Sequence, residues 1–108
     1  MILWHPIGTW SGRGRMQTES FPSASGSLRI DWETADETAS GAGAFKLTVN
    51  SAVSGRVIRE AVNQGGAGRG TVTVSDDPRQ YYVVVESSDV EWKFAIFEGF
   101  TADVMPPR

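Results

Sequence analysis

The chain has 108 residues, no cysteine and a formal net charge of −3, which suits a single domain with its own core and excludes disulfide scaffolds and thiol catalysis. Acidic and basic residues are interspersed without a basic stripe, so nucleic acid is not an expected partner. No apolar run approaches the ~18 residues of a membrane helix, so no membrane span is expected.

Polar and apolar residues alternate along most of the chain, which is the pattern of antiparallel strands with one solvent-facing side. In chain order, strands are predicted over residues 14–21, 27–34, 44–50 and 71–75. The segment 56–63 also fits one helical turn, but its position between glycines favours a short strand with Ile58 and Val62 facing inward. Turn-forming residues separate the strands at 22–26, 35–43, 65–70 and 76–78.

The strongest strand signal lies in residues 80–99, where a polar turn at 87–89 joins two alternating series. The inward-facing residues of these series are predicted to be Tyr81, Val83, Val85, Val90, Trp92, Phe94 and Ile96. Seven or eight short strands spaced in this way predict an all-β antiparallel two-sheet sandwich with at most one short helical turn. Purely local pairing would instead give an up-and-down barrel.

The strand at 80–86 is apolar on both sides, because Tyr82 and Val84 occupy the face opposite Val83 and Val85. Such a strand needs cover on both sides. We expect the apolar chain ends to supply that cover, since monomers rarely expose large apolar patches. The candidate covering residues are Ile2, Leu3, Trp4, Ile7, Trp10, Val104 and Met105. A homodimer contact through the same strand is the alternative.

Few residues offer catalytic chemistry. His5 is the only histidine, and without cysteine a typical zinc site is excluded. No Gly-x-Ser-x-Gly elbow is present to support a serine triad. Asp31 and Glu33, two residues apart on a predicted strand, are the one pair suited to glycoside hydrolysis. Their alternation with core residues favours a solvated face on which they pair with arginines, Arg29 among them.

Metal and phosphate sites find weak support in the sequence. Asp36-Glu37 and Asp76-Asp77 fall in predicted loops, where hard oxygen ligands suit calcium, but turn chemistry accounts for the second pair. The glycine run at 65–70 lacks Gly-Lys-Ser/Thr and precedes a strand, so it predicts a flexible hairpin loop with Arg69 at its tip. We therefore expect no metal and no cofactor.

Aromatic residues are the remaining indication of function. Of four tryptophans, Trp32 and Trp92 fit the core series, whereas Trp4 and Trp10 lie outside any clean alternation. A partly exposed tryptophan stacks on a sugar ring or pins a terminal strand to the core. The candidate ligand-binding residues are Trp4, Trp10, Tyr82 and Arg69.

Three segments carry a family resemblance. They are Leu28-Arg29-Ile30-Asp31-Trp32, Phe45-Lys46-Leu47-Thr48-Val49, and Ser87-Ser88-Asp89 followed by Trp92, Phe94 and Ile96. The last resembles the terminal Ser-Asp and aromatic strand of CUB domains, and the whole layout is similar to small secreted jelly-roll modules. The resemblance implies a CUB-like or jelly-roll sandwich. The CUB cysteines are absent and no acidic triad matches, so the family's calcium-dependent protein binding is not carried over to any residue.

Together these patterns predict one domain over residues 1–108, a non-enzymatic binding or accessory module that recognises a glycan or a protein surface. We expect it to be bacterial, secreted or in the cell envelope, and monomeric or homodimeric. A structural domain with an intersubunit sheet contact is the first alternative. A carboxylate-dependent glycoside hydrolase using Asp31 and Glu33 is the second.

Overall fold

A computed structural model describes residues 2–35 and 43–101 of the chain. These residues form nine strands and no helix, so none of them lies in a helix long and apolar enough to cross a membrane. The strands are β1 (Ile2–Arg13), β2 (Met16–Gln17), β3 (Phe21–Ser23), β4 (Ser27–Ala35), β5 (Ala44–Ser51), β6 (Val57–Gly65), β7 (Gly68–Ser75), β8 (Arg79–Ser88) and β9 (Glu91–Thr101).

Two antiparallel sheets pack face to face. The front sheet has the order β1-β9-β4-β7, and the back sheet has the order β2-β8-β5-β6, with β3 also pairing with β8. The pairs are nested: β1 with β9, β2 and β3 with β8, β4 with β7, and β5 with β6. This nesting is jelly-roll connectivity. The predicted all-β sandwich is confirmed, and the up-and-down barrel is wrong because most connections cross from one sheet to the other and only β5 and β6 pair as sequence neighbours among the described strands.

The core lies between the sheets and is filled by every second residue of each long strand, as period-2 alternation requires. The fully buried strand residues come from both sheets, namely Leu28, Ile30, Val74, Phe94 and Ile96 from the front and Phe45, Leu47, Val49, Tyr81, Val83 and Val85 from the back. Residues 57–65 are a strand with Ile58 and Val62 packed on the core, which confirms the strand and rules out the helical turn.

Residues 80–99 form two strands as predicted, but the two belong to different sheets. Asp89, with φ of 57°, turns the chain from β8 in the back sheet to β9 in the front sheet. The single strand predicted over 14–21 is instead broken into β2 and β3. Thr18 fills the break: its backbone N–H donates to the Val83 carbonyl at 2.9 Å, and its hydroxyl accepts from the Val83 N–H at 3.0 Å.

The longest strand, β1, has no counterpart among the predicted strands, and a bulge explains why. The pairing of β1 with β9 shifts register between Pro6 and Gly8, so that Trp4 and Trp10 face opposite sides despite their even spacing. Period-2 alternation is therefore lost in the sequence. Pro6 is tolerated because β1 is an edge strand, where one row of N–H groups needs no ladder partner.

Pairing of β1 with β9 also corrects the expected cover for β8. The apolar residues from Ile2 to Trp10 lie in the front sheet, so they do not cover the outer side of Tyr82 and Val84 in the back sheet. Val104 and Met105 lie outside the described residues. Val84 is nevertheless only 9% exposed, flanked on the ladder by Thr48 and Gln17. The homodimer contact stays a prediction.

Each tryptophan packs against a glycine. A Cβ built at the glycine would lie 2.8 Å from Trp10 at Gly8, 3.2 Å from Trp92 at Gly12, 3.0 Å from Trp32 at Gly70 and 2.7 Å from Trp4 at Gly99. In the last three pairs the two residues are direct cross-strand partners. In each pair the indole ring fills the space that the missing side chain of the glycine leaves.

Candidate functional site

The outward side of the front sheet, which we call the front face, carries a concentration of polar side chains. Residues directly opposite one another on paired strands point to the same side of a sheet, so the register defines rows across all four strands. Two of these rows are here called the polar rows. The first consists of Thr9, Ala95, Asp31 and Thr71, and the second of Ser11, Lys93, Glu33 and Arg69, in the strand order β1, β9, β4 and β7.

Side chains in the polar rows are held by one another. The Thr71 hydroxyl donates to Asp31 Oδ1 at 3.0 Å, and Lys93 Nζ lies 3.2 Å from Glu33 Oε1. The small Ala95 lies on the floor of an open basin of about 540 Å³, whose walls include Thr9, Asp31, Arg69 and Thr71. A neighbouring hollow of about 480 Å³ extends the basin along β1 and β9 past Ser11 and Arg13.

An aromatic corner, formed by Trp4, Phe97 and Arg29, borders the polar rows. The Arg29 guanidinium carbon lies 5.1 Å from the centroid of the Trp4 ring and 4.4 Å from that of Phe97, within cation–π range of both. Arg29 Nε also lies 3.4 Å from Asp31 Oδ1. Arg29 therefore connects the aromatic corner to the first polar row and restrains the Trp4 ring, which lies over Gly99.

Arg69 lies in β7, exposed at the margin of the basin, and not at a loop tip as predicted. Its cross-strand partner is Glu33, but the Glu33 carboxylate pairs with Lys93. Among the described residues, the Arg69 guanidinium makes no hydrogen bond and no ion pair.

The four predicted binding residues fall into two groups. Trp4 and Arg69 share the front face. Trp10 points toward the core, stacked on Phe94 with ring centroids 5.3 Å apart. Tyr82 lies on the outward side of the back sheet, opposite Asn50 on β5. The structure thus brings two of the four together, and a ligand role for each of the four stays a prediction.

The candidate catalytic carboxylates each have a cationic neighbour. Asp31 pairs with Arg29 and Glu33 with Lys93, in agreement with a solvated, paired face. Both carboxylates line an open surface, not a closed cleft. The hydrolase hypothesis stays a prediction without further support from this geometry.

Of the candidate metal sites, the Asp76-Asp77 pair is engaged in ion pairs with an arginine. Arg79 lies 3.6 Å from Asp76 and 3.2 Å from Asp77, so a guanidinium already neutralises that pair. Within residues 2–35 and 43–101 no group of three histidine, cysteine or acidic residues could hold a metal ion, and Asp36-Glu37 lies outside this part of the chain. His5 packs edge-on to Phe100 at 5.5 Å between ring centroids.

The glycine run is not a hairpin loop, because the strands it joins belong to different sheets. Gly66, with φ of 76°, turns the chain from β6 to β7. Its carbonyl accepts a hydrogen bond from the Thr34 hydroxyl at 2.9 Å. Gly70 leaves room for the Trp32 ring. The run is therefore a tight connection between the sheets, with its glycines used for turning and packing.

Comparison with protein-family models, characterised proteins and solved structures gives no match to the chain. The resemblance to CUB modules therefore stays a prediction. Several front-face residues were not singled out as binding residues from the sequence, namely Thr9, Arg29, Thr71, Lys93 and Phe97. The outward sets of β4 and β9 are visible as alternation, but only the pairing of β9 with β1 and β4 shows that they form one surface.

Proposed function

We propose that the protein is a non-enzymatic glycan-binding module whose binding surface is the front face. One observation carries the proposal: an aromatic corner borders two polar rows on the same side of the sheet, and the polar rows line an open basin. An aromatic ring offers a flat apolar surface for the C–H face of a sugar, and the polar rows offer partners for its hydroxyl groups. Trp4 and Arg69, both predicted from sequence as binding residues, lie on this surface.

The chemistry of the polar rows suits sugar hydroxyls, which both donate and accept hydrogen bonds. Carboxylates such as Asp31 and Glu33 accept only, whereas the Lys93 ammonium and the Arg69 guanidinium donate only. Threonine hydroxyls on Thr9 and Thr71 do both. A surface that mixes these groups without deep enclosure suits an extended oligosaccharide lying across the sheet.

The surface is also restrained before any ligand binds. The chain of contacts from Trp4 through Arg29 and Asp31 to Thr71 fixes side chains that a ligand would otherwise have to order. Ordering a long side chain at an interface costs about 0.5–1.5 kcal/mol. Pre-existing contacts reduce that cost, and they are carried on strands, which hold positions more firmly than loops.

Binding measured by calorimetry against a panel of soluble polysaccharides tests the proposal. Trp4→Ala removes the aromatic surface and is expected to weaken binding about 30-fold, equivalent to ~2 kcal/mol for a buried interface tryptophan. Ala95→Arg fills the basin floor without removing a contact and should also abolish binding. Tyr82→Ala, on the back sheet, is the matched comparison. Loss of binding in Tyr82→Ala with retention in the other two would refute the front-face assignment.

The second candidate is an assembly role for the back sheet, supported by exposed apolar side chains at the β5–β6 turn. Val53 is 88% exposed and Val57 is 55% exposed. Val57 and Tyr82 are both cross-strand partners of Asn50, so they lie on the same side of the back sheet. The wild-type protein should then form an oligomer as its concentration rises, and Val57→Asp should keep it monomeric. The melting temperature of this variant should equal that of the wild-type monomer. A protein that sediments as a monomer at all concentrations would exclude this role.

A further inference from the structure

We propose that the glycan recognised by the front face is anionic, a chain bearing repeated carboxylates, and that Arg69 is the residue that binds one of them. This inference rests on the proposed glycan-binding function and specifies the class of ligand. It starts from the charges of the front face and from the position of Arg69 relative to the aromatic corner.

The charged residues that line the basin include one positive charge that has no carboxylate partner among them. Around the basin, the carboxylate of Asp31 is paired with Arg29 and that of Glu33 with Lys93. Arg69 is the remaining cation, and among the described residues it has no carboxylate partner. The protein as a whole has a net charge of −3, so an unpaired cation at the margin of the basin runs against the overall charge.

The surroundings of Arg69 leave its guanidinium open to a ligand. Its neighbours along β7, Gly68 and Gly70, have no side chains, and the side chain of Arg69 is exposed. Across the ladder, Glu33 is neutralised by Lys93, so it does not occupy the guanidinium. The planar fork of an arginine matches a carboxylate through two parallel hydrogen bonds. A carboxylate on the ligand therefore fits this position better than a neutral hydroxyl.

The distance between the two ends of the surface requires an oligomeric ligand. Trp4 on β1 and Arg69 on β7 are separated by three strand spacings, about 14 Å, and their rows lie six residues apart along β9, about 20 Å. The separation of roughly 25 Å exceeds the size of one sugar acid. A chain in which every unit carries a carboxylate can place one unit on the aromatic corner and another on Arg69.

Calorimetry with the full chain tests this inference. Oligosaccharides of polygalacturonate and of alginate are each compared with the same oligosaccharide after reduction of its carboxyl groups to alcohols. Carboxyl reduction is expected to weaken binding at least about tenfold, as expected for loss of a charge-assisted hydrogen-bonded pair. Arg69→Ala should weaken binding of the acidic form by the same factor and leave binding of the reduced form unchanged. Arg56→Ala, an equal charge change in the β5–β6 turn, is the control.

The outcomes separate this inference from the proposed function. If reduced and acidic oligosaccharides bind equally and Trp4→Ala weakens the binding of both about 30-fold, the anionic preference is wrong while the glycan-binding surface stands. If no oligosaccharide binds, both are wrong. If Arg56→Ala weakens binding as much as Arg69→Ala, the effect is one of net charge and the assigned role of Arg69 is refuted.

Discussion

Replacement of Gly26 by alanine should destabilise the protein far more than the same change at Gly14. Both glycines have positive φ, 73° at Gly26 and 85° at Gly14, so alanine at either position has an unfavourable left-handed backbone costing about 1 kcal/mol. The two sites differ in their surroundings. A Cβ at Gly14 would meet nothing within 4 Å, whereas a Cβ at Gly26 would lie 1.9 Å from the Asp76 carbonyl oxygen.

The additional cost at Gly26 follows from the turn it occupies. To reach an ordinary carbon–oxygen separation of about 3.3 Å, the β3–β4 and β7–β8 connections must move apart by more than ~1 Å. That movement breaks the hydrogen bond that the Asp76 N–H donates to the Gly26 carbonyl at 2.9 Å, at about 1 kcal/mol. Displaced packing adds a similar amount. We therefore expect a total loss of about 3 kcal/mol for Gly26→Ala.

Urea denaturation of the two variants and the wild type measures these terms. Gly14→Ala should lose about 1 kcal/mol of the free energy of unfolding, and Gly26→Ala about 3 kcal/mol. At roughly 5 °C per kcal/mol for a domain of this size, the melting temperatures should fall by ~5 °C and ~15 °C. Equal losses in the two variants would show that the connections between the sheets are not packed as described.

Three further predictions concern polar side chains that are buried or half-buried. Burial raises the pKa of the Tyr81 hydroxyl above 10.0, so the stability that depends on the protonated hydroxyl is complete below pH 10 and is lost as the pH rises through the raised pKa. Between pH 8 and pH ~12 the melting temperature should therefore fall less steeply with pH for Tyr81→Phe than for the wild type. Thr18→Val leaves the Val83 N–H without its side-chain acceptor and should cost about 1–3 kcal/mol in urea denaturation, whereas a neutral result would indicate that water replaces the hydroxyl. Glu98 accepts hydrogen bonds from the Ser23 hydroxyl and two backbone N–H groups of the following turn, so Glu98→Ala should lose about 2 kcal/mol and speed hydrogen exchange in that turn, while the exposed Glu86→Ala should change neither.

The sandwich could be predicted because its central strands follow a simple physical pattern. In β4 and β5 one face is buried and the other is largely polar, and in β8 and β9 the buried residues also recur at every second position, so period-2 alternation directly reports the fold. The strand β1 could not be found in this way, because the bulge around Ile7 reverses the alternation halfway along it. The break between β2 and β3, where Thr18 replaces ladder hydrogen bonds with its side chain, is likewise hidden in a polar segment.

The candidate site was harder to predict than the fold, because it depends on which strands are neighbours. The outward residues Arg29, Asp31 and Glu33 of β4 were recognisable as a polar face. Their union with Lys93 and Thr71 depends on the order β1-β9-β4-β7, which pairs Glu33 with Lys93, 60 positions away, and Asp31 with Thr71, 40 positions away. Local patterns carry no information on such pairings, so the aromatic corner could be recognised only in three dimensions.

The most direct test of the front face as a glycan-binding surface is a titration of ¹⁵N-labelled protein with alginate and polygalacturonate oligosaccharides, followed by backbone amide chemical shifts. The largest shifts should cluster on the backbone amides of Thr9, Asp31, Thr71 and Ala95 and on the Trp4 indole N–H. Amides of the back sheet, including that of Tyr82, should remain in place. A cluster of shifts on the back sheet, or no shift with either oligosaccharide or its carboxyl-reduced form, would show that the front face is not a glycan-binding surface.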